Sequence, residues 1–238
     1  MKIRIGILPT YRVRYSDWDR ELLQRALRAM GEIPGLHAVR LPDAESFPDH
    51  AEGMSGGCVQ SLADAEKAVR FFGREAIDGL LVLPLDFGDE RSVAKVAAAL
   101  DVPVLLFATK EPAAVDGQRQ SDSYCGTLAI SAALHRRKIT FRFGGLVFPE
   151  EDVFAHEMST FLRACAAVRA VCGARLGQLG LRPAQFESVV YDETAIMRKF
   201  GQSVVTRDLG DLAVVADAME ETDPELAQTV GEIGSGVG

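Results

Sequence analysis

Between Asp78 and Asp86 the chain reads Gly-Leu-Leu-Val-Leu-Pro-Leu, an apolar run without alternation. A strand with one wet face alternates polar and apolar residues, so a short unbroken run between turn residues fits a strand buried on both faces. That requires helices above and below a parallel sheet. The flanking sequence repeats the condition: Lys2–Leu8 is Ile-rich and stops at Pro9, His37–Leu41 is a short second strand, and Val102–Phe107 is a further apolar one. Between them lie helical stripes. Asp17 is suited to cap a helix to about Met30, with Leu22, Leu23, Ala26, Leu27 and Met30 on one side, and Ser61–Phe72 and Asp89–Leu100 follow the same pattern. Strand and helix alternate with short connections, which predicts a parallel α/β sheet. At 47% hydrophobic but 7% aromatic residues, the filling is Ala, Val and Leu, as helix-on-sheet layers use.

Thr109–Gln120 breaks the rhythm with Pro112 and Gly117 and reads as a linker. Beyond it the alternation resumes: helix 124–137, strand 139–147, helix 153–172, strand 175–180, helix 192–200, strand 204–208 and helix 211–221. Ser121, Asp122 and Ser123 are short oxygen-bearing side chains suited to cap the first of these helices, and His135, Arg136, Arg137 and Lys138 suit the negative end of its dipole. The expectation is two open, mostly parallel-sheet, Rossmann-like α/β domains with helices on both faces. They would span 1–112 and 113–238, the second possibly incomplete.

The net charge of −8 is unevenly placed. Eight carboxylates from Asp208 to Glu232 lie beyond Arg207 with no Lys or Arg among them, which leaves 1–207 neutral. Nucleic acid would need a basic stripe, and the arginines are scattered, so that partner is excluded. No apolar run approaches the ~20 residues that cross a bilayer and no secretory leader precedes the first strand, so no membrane is expected and a cytoplasmic location is. The acidic end, with the apolar stripe Leu212, Val215, Ala216 and Met219, is expected to be poorly ordered after about Thr222 or held by another copy. Cys58, Cys125, Cys165 and Cys172 lack C-x-x-C spacing and read as reduced, buried thiols, with Cys165 and Cys172 in the core.

Chemistry belongs at the carboxyl ends of such strands. Four ends are polar: Thr10 with Arg12, Arg14, Tyr11 and Tyr15; Asp86 before Asp89, itself a natural helix cap; Thr109 with Lys110; and the loop after Gly180, where Arg182 and Gln185 can reach a ligand. Thr10, Arg12, Arg14, Asp86 and Arg182 are the candidate substrate-binding residues, able to hydrogen-bond a polyol or an anion. No catalytic or metal-binding residue is assigned. There is no G-x-G-x-x-G and no G-K-[ST], and His37, His50, His135 and His156 stand apart from one another and from Cys.

Five stretches carry a family resemblance: IRIGILPTYRVR at the start, LLVLPLDFGDERSVAKVAAALDVPVLLFAT, SDSYCGTLAISAALHRRKITF, FLRACAAVRAVCGARLGQLGLRPAQFESVVYDE and FGQSVVTRDLGDL. Together they resemble the L-fucose/L-arabinose isomerase family in its N-terminal domains. The resemblance implies an aldose–ketose isomerase that moves a carbonyl between C1 and C2 of a sugar with a divalent cation, usually Mn²⁺. It also implies that the metal-binding Glu, Asp and His come later than any residue matched here. The chain is thus expected to be the N-terminal part, a piece or a naturally shortened homologue, inactive alone and binding no Mn²⁺ itself. In such enzymes the first strand and loop line a neighbouring subunit's site, a role open to Arg12 or Arg14, so a homo-oligomer and a small sugar are the expected partners. The alternative is a cytoplasmic sugar-binding module of two α/β lobes without catalysis.

Overall fold

The apolar runs become strands of one sheet. In the computed structural model, which describes residues 2–12, 15–111, 121–219 and 222–236, β1 (Ile3–Thr10), β2 (Leu36–Arg40), β3 (Gly79–Pro84), β4 (Val104–Ala108) and β5 (Phe141–Leu146) pair in parallel in the order β2-β1-β3-β4-β5. The two-residue pleat then sorts side chains onto two layers. Ile3, Ile5, Ile7, Leu81, Leu83, Leu105 and Phe107 face α1 (Asp17–Gly31) and α5 (Asp152–Val171), meeting Leu22, Ala26, Met30, Phe154, Met158 and Phe161. The alternate residues Leu8, Leu80, Val82, Val104 and Leu106 face α2 (Leu62–Glu75), α3 (Glu90–Leu100) and α4 (Ser123–Arg136). Each fully buried aliphatic side chain contributes about 1.5–3 kcal/mol, so the sandwich is the source of the body's stability.

Helix starts follow side-chain chemistry, with one correction. Asp89 caps α3 as expected, accepting from the Arg91 N–H. For α1 the cap is Ser16, not Asp17: Ser16 and Asp19 bond reciprocally in a capping box, leaving Asp17 in the first turn.

The division expected at 112/113 falls inside this body. Residues 112–120 lie outside those described, but β5 pairs with β4 from Val104↔Phe141 to Ala108↔Leu146, and α5 covers the same sheet face as α1. The chain separates instead into Met1–Arg169 and Ala170–Gly238. The reason is that β5 has a registered neighbour only in the first sheet, which its strand and the preceding helix complete.

The second unit is slighter than a Rossmann-like domain. β6 (Arg175–Leu179) and β7 (Ser203–Arg207) form a two-stranded parallel sheet, accompanied by α6 (Glu193–Phe200), α7 (Leu209–Ala218) and α8 (Pro224–Gly236). Neither α6 nor α7 buries a residue. Beyond Thr222, where a poorly ordered or partner-held end is expected, the structure places the helix α8. Of the four thiols, Cys58 and Cys165 are buried but Cys125 and Cys172 are exposed, so the core assignment of Cys172 is corrected. Burial pushes the Cys165 thiol up to about 12, as befits an inert core residue. Among the described residues no helix is long and apolar enough to cross a membrane.

Candidate functional site

The strand order reverses between β1 and β3. From β1 the chain turns to β2 through α1 on one face, whereas β3 leads on to β4 through α3 on the other, and the carboxyl ends at such a point are where open α/β sheets place a ligand crevice. Three of the predicted residues, Thr10, Arg12 and Asp86, meet there. Thr10 is fully buried: its hydroxyl donates to the Val59 carbonyl at 2.8 Å and accepts from the Asp89 N–H at 3.2 Å. It therefore ties loops together and has no donor left for a ligand. Asp86 does similar work, since one oxygen, Oδ1, accepts from the backbone N–H groups of Arg12 and Gly88, both at 2.9 Å. Arg12 is the residue on display. Its guanidinium lies 3.7 Å from the centre of the Phe87 ring, Nε donates to the Gly88 carbonyl at 3.1 Å, and Nη2 pairs with Glu90 at 3.1 Å. Nη1 has no partner among the described residues, on a half-exposed side chain held in one place.

The turn before α4 closes the same edge. Asp122 holds the cap position without a side-chain bond to the helix; Ser121 Oγ accepts from the Ser123 N–H of the first turn at 3.3 Å, as expected, while Ser123 Oγ donates to the Pro84 carbonyl at 2.7 Å and accepts from the Thr109 N–H at 2.9 Å. Ser121 Oγ donates to the Leu85 carbonyl at 3.0 Å. Gly126 lets the helix approach: a Cβ there would sit 1.9 Å from the Phe87 carbonyl oxygen. The loop bearing Asp86 and Phe87 is thereby fixed from β1 and from α4 at once.

Asp19 is a residue of this neighbourhood that sequence reasoning did not single out. It is 1% exposed; Oδ2 accepts from the Ser16 N–H and hydroxyl, and Oδ1 has no partner among the described residues. Burial raises its pKa above the ordinary carboxylate range against those hydrogen bonds. Asp86 is raised as well, chiefly by burial and further by the Asp19 charge, against the N–H groups of Gly88 and Arg12. The spacing Ser16-x-x-Asp19 was the available signal, and it speaks of a helix start, not of a buried acid.

The other expected residues are not at this place. Arg14 lies outside the described residues. Arg182 belongs to the second unit, where its exposed Nη1 donates to the Phe186 carbonyl at 3.2 Å. Thr109 is buried and Lys110 pairs with Glu151 at 2.7 Å. Among the described residues no three His, Cys, Asp or Glu side chains converge in a way that would hold a metal ion, so these residues do not fit the Mn²⁺ that the resemblance implies.

Residues 40–172, which run from the end of β2 to the end of α5, match the family model described as fucose/sulfoquinovose isomerase, N-terminal domain. The chain belongs to this family. As a fucose/sulfoquinovose isomerase-type N-terminal domain, it has the β3 side of the crevice, including Asp86 and the Ser121–Ser123 turn, inside the matched region, and the β1 side, with Thr10 and Arg12, before it. Among solved structures, an NAD(P)H:quinone oxidoreductase from Methanothermobacter marburgensis is similar over 69% of this chain and 98% of its own, at 10% identity and a TM-score of 0.29. No curated protein sequence matches the chain.

Proposed function

We propose that the chain is the substrate-side and assembly portion of an aldose–ketose isomerase, working in the cytoplasm on a small sugar as part of a homo-oligomer. The cation, Mn²⁺ in the L-fucose and L-arabinose type of enzyme, would be held outside the described residues. One observation carries this reading: at the switch point of a family-type domain, Arg12 is clamped by Phe87, the Gly88 carbonyl and Glu90, and Nη1 has no partner among the described residues. A guanidinium immobilised in this way loses little entropy on meeting sugar hydroxyls. Because Arg12 is half-exposed at the domain's edge, the sugar it meets would be held against it by another subunit. Thr10 and Asp86 set the position of the arginine and do not touch the sugar themselves.

The pure chain, incubated with L-fucose or L-arabinose with and without Mn²⁺, is expected to give no ketose. Metal-dependent turnover of either sugar would overturn the reading. Tight sugar binding without metal, measured by calorimetry, would instead assign a non-enzymatic binding module.

A further inference from the structure

At the carboxyl end of β2 an open cleft of about 640 Å³ is bounded by α1, α2 and the loop after Leu41. The volume suits a small ligand, and none of the switch-point residues lines it. Its walls are aromatic: Tyr15, Phe47, His50 and Phe71 face it, with His50 meeting Phe71 edge-on at 5.9 Å. Two guanidiniums, Arg20 and Arg40, and two carboxylates, Asp43 and Glu45, also line it. Arg40 makes no ion pair or side-chain hydrogen bond among the described residues, and the ion-pair partner of Arg20, Asp17, stands 4.0 Å away and fully exposed.

The loop is built, not incidental. Asp43 folds it by accepting from the backbone N–H groups of Glu45 and Gly56, both at 3.1 Å, and from the Ser46 hydroxyl at 2.9 Å. Glu52, nearly buried, anchors it to α2 through Arg74 at 2.7 and 3.1 Å. Gly56 takes φ +62°, and a Cβ there would sit 2.5 Å from the Tyr15 ring, so glycine leaves room for that wall. With Asp43 engaged by the loop, Glu45 is the lining carboxylate without a side-chain partner among the described residues.

We propose that this cleft binds a sugar phosphate. The two guanidiniums match the charge of a phosphomonoester, about −1.5 to −2, and offer it bidentate hydrogen bonds. The aromatic walls suit the C–H face of a ring, and Glu45 accepts from its hydroxyls. An inorganic anion would use the arginines alone and gain nothing from the rings, while a neutral sugar would gain nothing from the charge of two exposed guanidiniums. The phosphate-bearing ring is supplied equally by a free sugar phosphate or by a nucleotide.

Calorimetric titration of the full chain with glucose 6-phosphate, AMP, glucose and inorganic phosphate tests this. Glucose 6-phosphate is expected to bind with a Kd of roughly 0.1–1 mM and glucose at least about tenfold more weakly. Arg40→Gln should weaken binding about fivefold or more, since it removes a charged donor, and Arg40→Lys should retain part of it. AMP binding as tightly as glucose 6-phosphate, with the same loss in Arg40→Gln, would identify a nucleotide as the source of the same chemistry. Three results would overturn the proposal: no binding of either ester at about 10 mM, inorganic phosphate binding as well as the sugar ester, or unchanged affinity in a normally folded Arg40→Gln protein.

Discussion

β3 and β6 are both short parallel strands, and they meet opposite fates. Every residue of Gly79–Pro84 is buried, whereas no residue of Arg175–Leu179 is. β3 has β1 and β4 as neighbours and helices on both faces; β6 has a single partner strand. The difference in sequence is small but sufficient: an unbroken run GLLVLP in one, and leucines separated by Gly and Gln in the other. Burial is a property of layers more than of single apolar residues, and a two-stranded sheet cannot supply them. The second unit accordingly keeps apolar surface open, with Leu181 80% exposed and a cavity of about 750 Å³ lined by Leu176, Leu179, Val189, Val190 and Val204.

The most direct way to break this comparison is to remove the same side chain from each unit. Leu81→Ala, at a fully buried position in β3, should cost about 2–5 kcal/mol in denaturant unfolding. Leu179→Ala, at a mostly exposed one in β6, should stay within about 0.5 kcal/mol. Hydrogen exchange should agree: β3 amides would open only with global unfolding, and β6 amides through local opening. Equal costs would show that the second unit is covered after all.

A smaller effect separates two glycines. Gly126→Ala should cost about 1–3 kcal/mol, because its Cβ would meet a backbone carbonyl that cannot swing aside. Gly231→Ala in α8, where nothing lies within 4 Å, should stabilise that helix by up to about 1 kcal/mol. Thermal unfolding of the two variants in opposite directions would sharpen the contrast; parallel shifts would erase it.

The sheet was legible because its strands are apolar without interruption: the runs ending at Leu8, Leu85 and Phe107 each become a strand of the five-stranded sheet. The boundary was not, because Pro112 and Gly117 interrupt the rhythm locally, while the pairing of β5 with β4 is a long-range event that no local signal encodes. At the site, residue types at strand ends pointed to Thr10, Arg12 and Asp86, but their roles follow from partners distant in sequence. Thr10 is consumed by Val59 and Asp89, and Arg12 is fixed by Phe87 and Glu90. The Ser121–Ser123 turn looks like a cap by composition, and Ser121 does accept from the Ser123 N–H, yet both hydroxyls also donate to carbonyls of the β3 end, contacts made only once the sheet exists.

The least of the expected effects concerns a buried carboxylate of the first unit, Asp19. Asp19 is buried, one of its oxygens has no partner among the described residues, and its folded pKa is raised by burial, so the folded state binds its proton more tightly than the unfolded chain does. The sign follows: its contribution to stability is fully present below the unfolded value of about 3.9 and is lost as pH rises through the raised folded value. Tyr11, Tyr15, Cys58 and Asp86 are the titratable groups that share its field, and the rise in Asp86 is partly its doing. Asp19→Asn keeps an acceptor for Ser16 but removes the charge. Below the ordinary carboxylate range the two proteins should have similar melting temperatures, because the residue is neutral in both. Above it the variant should gain on the wild type, by about 1 kcal/mol or less, and the gap should stop widening once Asp19 is ionised. The carboxyl carbon of Asp86, followed by NMR, should titrate at lower pH in the variant. A melting-temperature difference that is flat from acid to neutral pH would mean that Asp19 is solvated in the folded protein, and the buried edge of the crevice would then be wetter than its packing shows.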